Sequence, residues 1–322
     1  MLEPRWLGAT AAHSSDAVLP PALLALCNVF PQLRVVVNIY IIFDGEPPRA
    51  AAQYNASSSI ELTFVAGLKS IFWKRVLTPA RVRSFEVVWL FDADIAVHPS
   101  VFPLATSVSV LLELGASILQ PAIRGWGMTT HHGWLQHRWT HLSCAVTTAR
   151  FVEIMTPMWR QDAWSAFHEA VLMRMPDDRL ATLDYCLDLV WCAAVSTFRP
   201  RAPACVVTPG DAAMHRHTKT IRHGGVDRRP NANGGVPDSS ENSCGTLEKL
   251  FPQWWKNYSH DTKACWHIDT NGRLHPNRGG GYWFEAQERA VVAEVLGQGD
   301  GGVGGLDVAA VPQVRVDGLL RL

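Results

Sequence analysis

The sequence has no CxxC pair, no long apolar run and no excess charge of either sign. Its seven Cys stand apart at 27, 144, 186, 192, 205, 244 and 265. That spacing argues against a zinc ribbon or a thioredoxin-type site. The odd number leaves at least one Cys outside any pairing within the chain. Scattered Cys fit either a reduced cytosolic protein or a lumenal one with one or two bridges. No segment reaches the roughly 18 apolar residues that span a bilayer, because Ala17–Val29 is interrupted by Pro20, Pro21 and Asn28. The N-terminus lacks the basic start of a signal peptide. The expectation is a soluble cytoplasmic protein, or a Golgi or secretory-lumen protein whose N-terminal anchor is missing from this sequence. With 29 basic and 29 acidic side chains the formal charge is zero, which argues against a broad nucleic-acid face or anionic-membrane face.

What is present is apolar and punctuated. Of the 322 residues, 48% are hydrophobic and 18% charged, enough for a sizeable core. The 13 Trp read first as packing residues, since large rings dominate core energetics. Arg34–Phe43 is a nearly continuous β-branched and aromatic run that ends at Asp44-Gly45. Such a run marks a strand buried on both faces. Further strands are predicted at 60–65, 86–91, 116–120 and 204–208, with a strand edge at 151–155. Helices are predicted at 22–30, 69–77, 101–114, 161–175, 180–195, 247–258 and 284–296. Alternation at this pitch implies right-handed βαβ units and a parallel sheet. The Gly, Asn, Ser, Pro and Arg content of 223–245 reads as a linker, and the Gly-rich end from 297 as disordered. The domain reading is an N-terminal extension over 1–21, a catalytic domain over 22–222, a C-terminal extension over 223–296 and a tail. Two sequons, at Asn55 and Asn257, matter only in the secretory pathway.

The sharpest chemical signal is Asp92-Ala93-Asp94, directly after the apolar run Val87–Phe91. In open parallel sheets, ligands bind beyond the carboxyl ends of the strands. Two carboxylates one residue apart at such an end can share one hard cation, Mg2+ or Mn2+, which in turn grips diphosphate oxygens. The bland alternative is one capping Asp and one solvated Asp. Lys69, Lys74 and Arg75 are candidates to face the diphosphate, against the alternative of a solvated basic helix face. His131, His132, His137 and His141 lack a His-Glu-x-x-His pattern and read as loop histidines.

The run Val88-Trp89-Leu90-Phe91-Asp92-Ala93-Asp94-Ile95 resembles the Phe-Leu-Trp-Asp-Glu-Asp-Leu signature of a plant and algal family labelled "lysine-ketoglutarate reductase trans-splicing related". Lys69–Leu77, Ile118–Ala122, Phe151–Met158, Leu183-Asp184 and Cys192 resemble its other blocks in order and spacing. The likeness covers about residues 23 to 222. It implies a glycosyltransferase-A-like α/β fold, with a mostly parallel central sheet flanked by helices and a loop-rich C-terminal extension. Ala93 stands where the family has Glu, Ala181-Thr182 where it has Trp-Gly, and His215-Arg216-His217 in its terminal His segment.

On that resemblance, His215 completes a metal site with Asp92 and Asp94, and Asp44 contacts the base or ribose of a nucleotide-sugar. Asp184 is the first candidate base for an acceptor hydroxyl. Asp188, one turn on, is its substitute, and Glu153 a second candidate. The leading expectation is a metal-dependent glycosyltransferase acting on a nucleotide-sugar and a carbohydrate or other hydroxyl acceptor. The alternatives are a catalytically silent carbohydrate- or protein-binding relative and, more weakly, a metal-dependent phosphoesterase.

Overall fold

Strand β4 (Val87–Asp92) is sealed on both faces for five residues, and only Asp92 at its end is partly open. The computed structural model describes residues 5–13, 18–40, 54, 57–125, 145–180, 186–215, 239–255, 265–268 and 274–276. The predicted helix 284–296, the tail, both sequons and the four loop histidines lie outside the described residues. The other strands are β1 (Trp6–His13), β2 (Leu33–Tyr40), β3 (Ile60–Thr63), β5 (Ile118–Gly125), β6 (Val146–Ala149), β7 (Met158–Arg160), β8 (Cys205–His215), β9 (Cys265–Ile268) and β10 (Leu274–Pro276). They form one sheet in the order β10-β9-β6-β8-β5-β7-β4-β1-β2-β3. The helices are α1 (Leu19–Val29), α2 (Lys69–Val76), α3 (Pro79–Val82), α4 (Leu104–Leu114), α5 (Gln161–Ala170), α6 (Asp177–Leu180), α7 (Asp188–Phe198) and α8 (Ser239–Leu250).

Alternation along the strands sorts the core into two layers. Leu7, Ala9, Val36, Val88, Leu90 and Ile118 face α2, α5 and α7. Trp6, Val35, Val37, Val87, Trp89 and Phe91 face α1 and α4. By the same alternation Asp92 falls on the α2 and α7 side, which decides the partners of its carboxylate.

The architecture is the expected α/β sheet flanked by helices, but the sheet is mixed. Among the described residues, four neighbouring pairs are parallel and five antiparallel. The short β7 enters antiparallel between β4 and β5. A segment predicted as a strand edge at 151–155 carries no strand; the chain there holds β4 through Asp92 N–H to the Met155 carbonyl, 2.8 Å.

The predicted extension over 1–21 holds β1, which pairs in parallel with both β2 and β4. Its small residues answer the aromatic rings of β4. A Cβ on Gly8 would stand 3.3 Å from a Phe91 ring carbon and 3.5 Å from one of Trp89. The C-terminal extension is likewise attached to the sheet, since β9 pairs with β6. Helix α8 begins at Ser239, inside the predicted linker. Strand β5 runs past Pro121, where the strand was expected to stop. Thr208 faces Pro121 but Ala212 faces Ala122, so Pro209, Gly210 and Asp211 swell β8 opposite the proline. A residue without an N–H is tolerated where the ladder is already broken.

Trp159 on β7 packs edge-on against Trp164 and Trp191, with ring centroids 5.3 and 5.4 Å away, and it is fully buried. It joins β7, α5 and α7 under the strand ends. Trp159→Ala is therefore expected to cost about 3–5 kcal/mol. Urea unfolding would show this as a lower midpoint at unchanged slope; a loss below about 1 kcal/mol would refute the packing role.

Candidate active site at the ends of the central strands

The site begins where β4 runs out. Asp92 is its last residue, Ala93 and Asp94 form a turn, and Ile95 makes an antiparallel bridge to His215. The bridge is fixed by the Ala96 N–H, which donates to the Met214 carbonyl at 2.8 Å. It places the His215 Nε2 3.0 Å from the Asp94 Oδ2, with both side chains only 13% exposed. Burial pulls the His215 imidazole down, but the hydrogen bond and charge of Asp94, joined by Asp92 and Glu153, carry it above its ordinary range. The long strand β8 thus delivers to the acidic turn a histidine that lies 121 residues after Asp94.

Asp92 points to the other layer. Its Oδ1 accepts from the Lys69 Nζ at 2.6 Å, with the side chains 26% and 14% exposed. Burial raises the Asp92 carboxyl, Lys69 opposes this, and the like charge of Asp94 adds to it. Lys69 is the first residue of α2, and its position is prepared upstream. The buried Asn38 amide on β2 donates to the Val65 carbonyl and accepts from the Val65 N–H at 2.7 Å. Gly67, with φ of 106°, then turns the chain into α2 in a conformation that suits a residue without Cβ.

Asp188 opens α7 on the same side of the sheet. Burial pushes its carboxyl up to about 6, against the Lys69 charge and the backbone N–H groups of Asp188, Cys186 and Leu189. Lys69 therefore lies within the field of two carboxylates from different elements. Glu153 is 6% exposed, its N–H donates to the buried Gln120 Oε1 at 2.6 Å, and its charge reaches His215. The Trp191 indole of α7 donates to the neighbouring Val152 carbonyl at 3.0 Å, which ties the two acidic segments together.

The structure thus gathers Lys69, Asp92, Asp94, Glu153, Asp188 and His215 at one end of the sheet. It turns Lys74 and Arg75 elsewhere. Both bind Asp177, at 2.6 and 2.9 Å, and Lys74 also donates to the Met175 carbonyl. Five residues along a helix is about 7.5 Å of rise and about 140° of turn, so Lys74 leaves the face of Lys69. Asp44 and Asp184 lie outside the described residues. Asn38 and Gln120 were not anticipated as organisers of the site; the signal was a single amide within an apolar strand.

Among the described residues, no three His, Cys, Asp or Glu side chains already form a cation cage. Asp94 and His215 could supply two ligands to one if their own hydrogen bond gave way. Two cis ligands of an octahedral Mg2+ or Mn2+ stand about 3 Å apart, the separation of the Asp94 and His215 donor atoms. Asp92 offers a second carboxylate whose repulsion from Asp94 a cation would relieve.

No protein-family model matches the chain, and no curated protein matches it in sequence. Solved structures do. The structure of GalNAc-T7 with UDP, GalNAc and Mn2+ matches with a TM-score of 0.50 at 10% identity, over 79% of this chain and 48% of that one. A structure of S. aureus TarS 1-349 in complex with UDP matches at 0.43 and 13% identity, over 67% and 61%. The mannosyltransferase PcManGT from Pyrobaculum calidifontis, in complex with GDP-Man and Mn2+, matches at 0.41 and 16% identity, over 66% and 56%. The chain spans about half to three fifths of the length of these proteins. The fold is that of the glycosyltransferase-A enzymes.

Proposed function

We propose that the protein is a metal-dependent glycosyltransferase that moves a sugar from a nucleotide-sugar to a hydroxyl acceptor. One observation carries the reading: Asp94 and His215 meet just past Asp92, the last residue of β4, within a glycosyltransferase-A-like fold. Asp92, Asp94 and His215 would hold Mn2+ or Mg2+. A divalent cation there supplies neutralisation of the diphosphate leaving group. GalNAc-T7 and PcManGT were each solved with Mn2+ and a nucleotide or nucleotide-sugar, which supports this class of ligand.

The chain's own residues do the rest. Lys69 neutralises Asp92 before the donor arrives, and once a cation takes over that carboxylate its ammonium is released to pair with phosphate. Asp188 takes the proton of the acceptor hydroxyl, the role assigned from sequence first to Asp184. A carboxyl with a pKa of about 6 is still ionised at neutral pH yet is a better base than a free aspartate. The charge of Glu153 adds to that of Asp94 and Asp92 in favouring the protonated His215 until a cation replaces the proton. The two disulfides among the described residues are of the kind that persists in an oxidising compartment, which supports the lumenal alternative over the cytoplasmic one.

Titration with UDP- and GDP-sugars, with and without Mn2+, tests the donor. Binding is expected only with the metal, and Asp94→Asn is expected to weaken Mn2+ binding about tenfold or more. Equal and negligible binding in both conditions removes the donor reading. The rate of transfer is expected to rise with pH through about 6 as Asp188 loses its proton. Asp188→Asn should abolish that rise and lower kcat by about 10²–10⁴; a pH profile unchanged in this variant assigns the base elsewhere.

A further inference from the structure

The two disulfides seen among the described residues flank Asp188, one ending on its helix and the other just before it. Cys192, one turn beyond Asp188, is bonded to Cys205 at the start of β8, the strand that ends at His215. Cys186, two residues before Asp188, is bonded to Cys244 on α8, with Cα atoms 5.6 Å apart and a sequence separation of 58. Cys186 is the one described non-glycine residue with a left-handed backbone, at φ of 76°. Residues with a Cβ rarely take this conformation unless their surroundings impose it. From it the first turn of α7 departs, with the Cys186 carbonyl accepting from the Leu189 N–H at 3.0 Å, and the Cys186 N–H is one of the backbone groups that favour the charged Asp188 carboxyl. The two bridges differ in access. Cys192 and Cys205 are 3% and 1% exposed, whereas Cys244 is only part-buried.

We propose that the Cys186–Cys244 disulfide is a positioning device for Asp188, locking the left-handed Cys186 backbone from which the first turn of α7 departs. This rests on the reading of Asp188 as the base. The bridge opens by ordinary exchange with a small dithiol. Its thiolate attacks the Cys244 sulfur, the S–S bond breaks, and Cys186 leaves as a thiolate that takes up a proton. The second thiol of the reagent then displaces Cys244 from the mixed disulfide. The protein disulfide is reduced by two electrons and the dithiol is oxidised by two. The buried Cys192–Cys205 bridge keeps α7 on β8 meanwhile, so the change is confined to the first turn.

The test compares the oxidised full chain, the same chain after mild dithiol treatment, and Cys244→Ser. Alkylation and mass analysis confirm that Cys186 and Cys244 open while Cys192 and Cys205 stay closed. Amide hydrogen exchange at 186–189 is expected to rise about tenfold or more, with β4 amides unchanged. In turnover, the KM for the donor should hold while kcat falls. The acidic limb should move to higher pH, because the lost N–H bond had favoured the charged carboxylate. Unchanged exchange at 186–189 overturns the proposal. So does a parallel loosening of β4, which would make the bridge a general staple. If Cys244→Ser does not fold, the reduced wild-type chain gives the same comparison. If no form transfers sugar, the transferase reading falls, and exchange alone decides the disulfide's role.

Discussion

Five consecutive apolar residues, Val87 to Phe91, are closed in from both sides of the sheet, and charge first becomes affordable at Asp92. Everything else at the site follows from that constraint. Two layers of helices cover the strand, and one of them brings the first residues of both α2 and α7 to the carboxylate end. Alternation then sends Asp92 toward α2 and α7, where Lys69 and Asp188 stand. The turn that follows sends Asp94 toward β8 and His215. One acidic dipeptide step thereby addresses two separate sets of partners.

The balance of charge there is uneven. Asp92, Asp94, Glu153 and Asp188 share one region with Lys69 and His215. Three of these groups leave their ordinary range: burial pushes Asp92 and Asp188 up, and Asp94 raises His215 in spite of its burial. A site assembled in this way has an unmet demand for positive charge, and perturbed groups of this kind gather where ligands bind more often than elsewhere. Lys74 and Arg75 do not meet that demand, because Asp177 already engages both and is itself held low by them.

The legible part of this protein was the part written in continuous apolar runs. Strand β4, helix α2 and the acidic pair were readable because Val87–Phe91 and Lys69–Val76 have unambiguous periods and an abrupt end. Strand β1 was not, because Trp6–Ala12 is built of Gly and Ala with Thr10 as its sole β-branched residue. Its strand character comes from fitting beneath Trp89 and Phe91, a tertiary demand that local propensity does not record. Lys69 was read as a phosphate-facing group, but its pairing with Asp92 depends on Asn38 and Gly67 fixing the entry to α2. Asp188 was seen only as a stand-in, since nothing in a helix pattern marks which of two aspartates is drawn toward a distant strand.

The swelling of β8 opposite Pro121 has a consequence for orientation. Before it, Cys205 and Val207 lie in one core layer and Val206 in the other; after it, Ala213 lies in the layer of Val206. Pro209, Gly210 and Asp211 add an odd number of residues to the strand, and an odd insertion exchanges the two sides of a period-two ribbon. His215 shares the parity of Ala213, so the imidazole meets Asp94 only because the phase of the strand is reversed partway along it. A chain one residue shorter in that bend would turn the His215 imidazole to the opposite face.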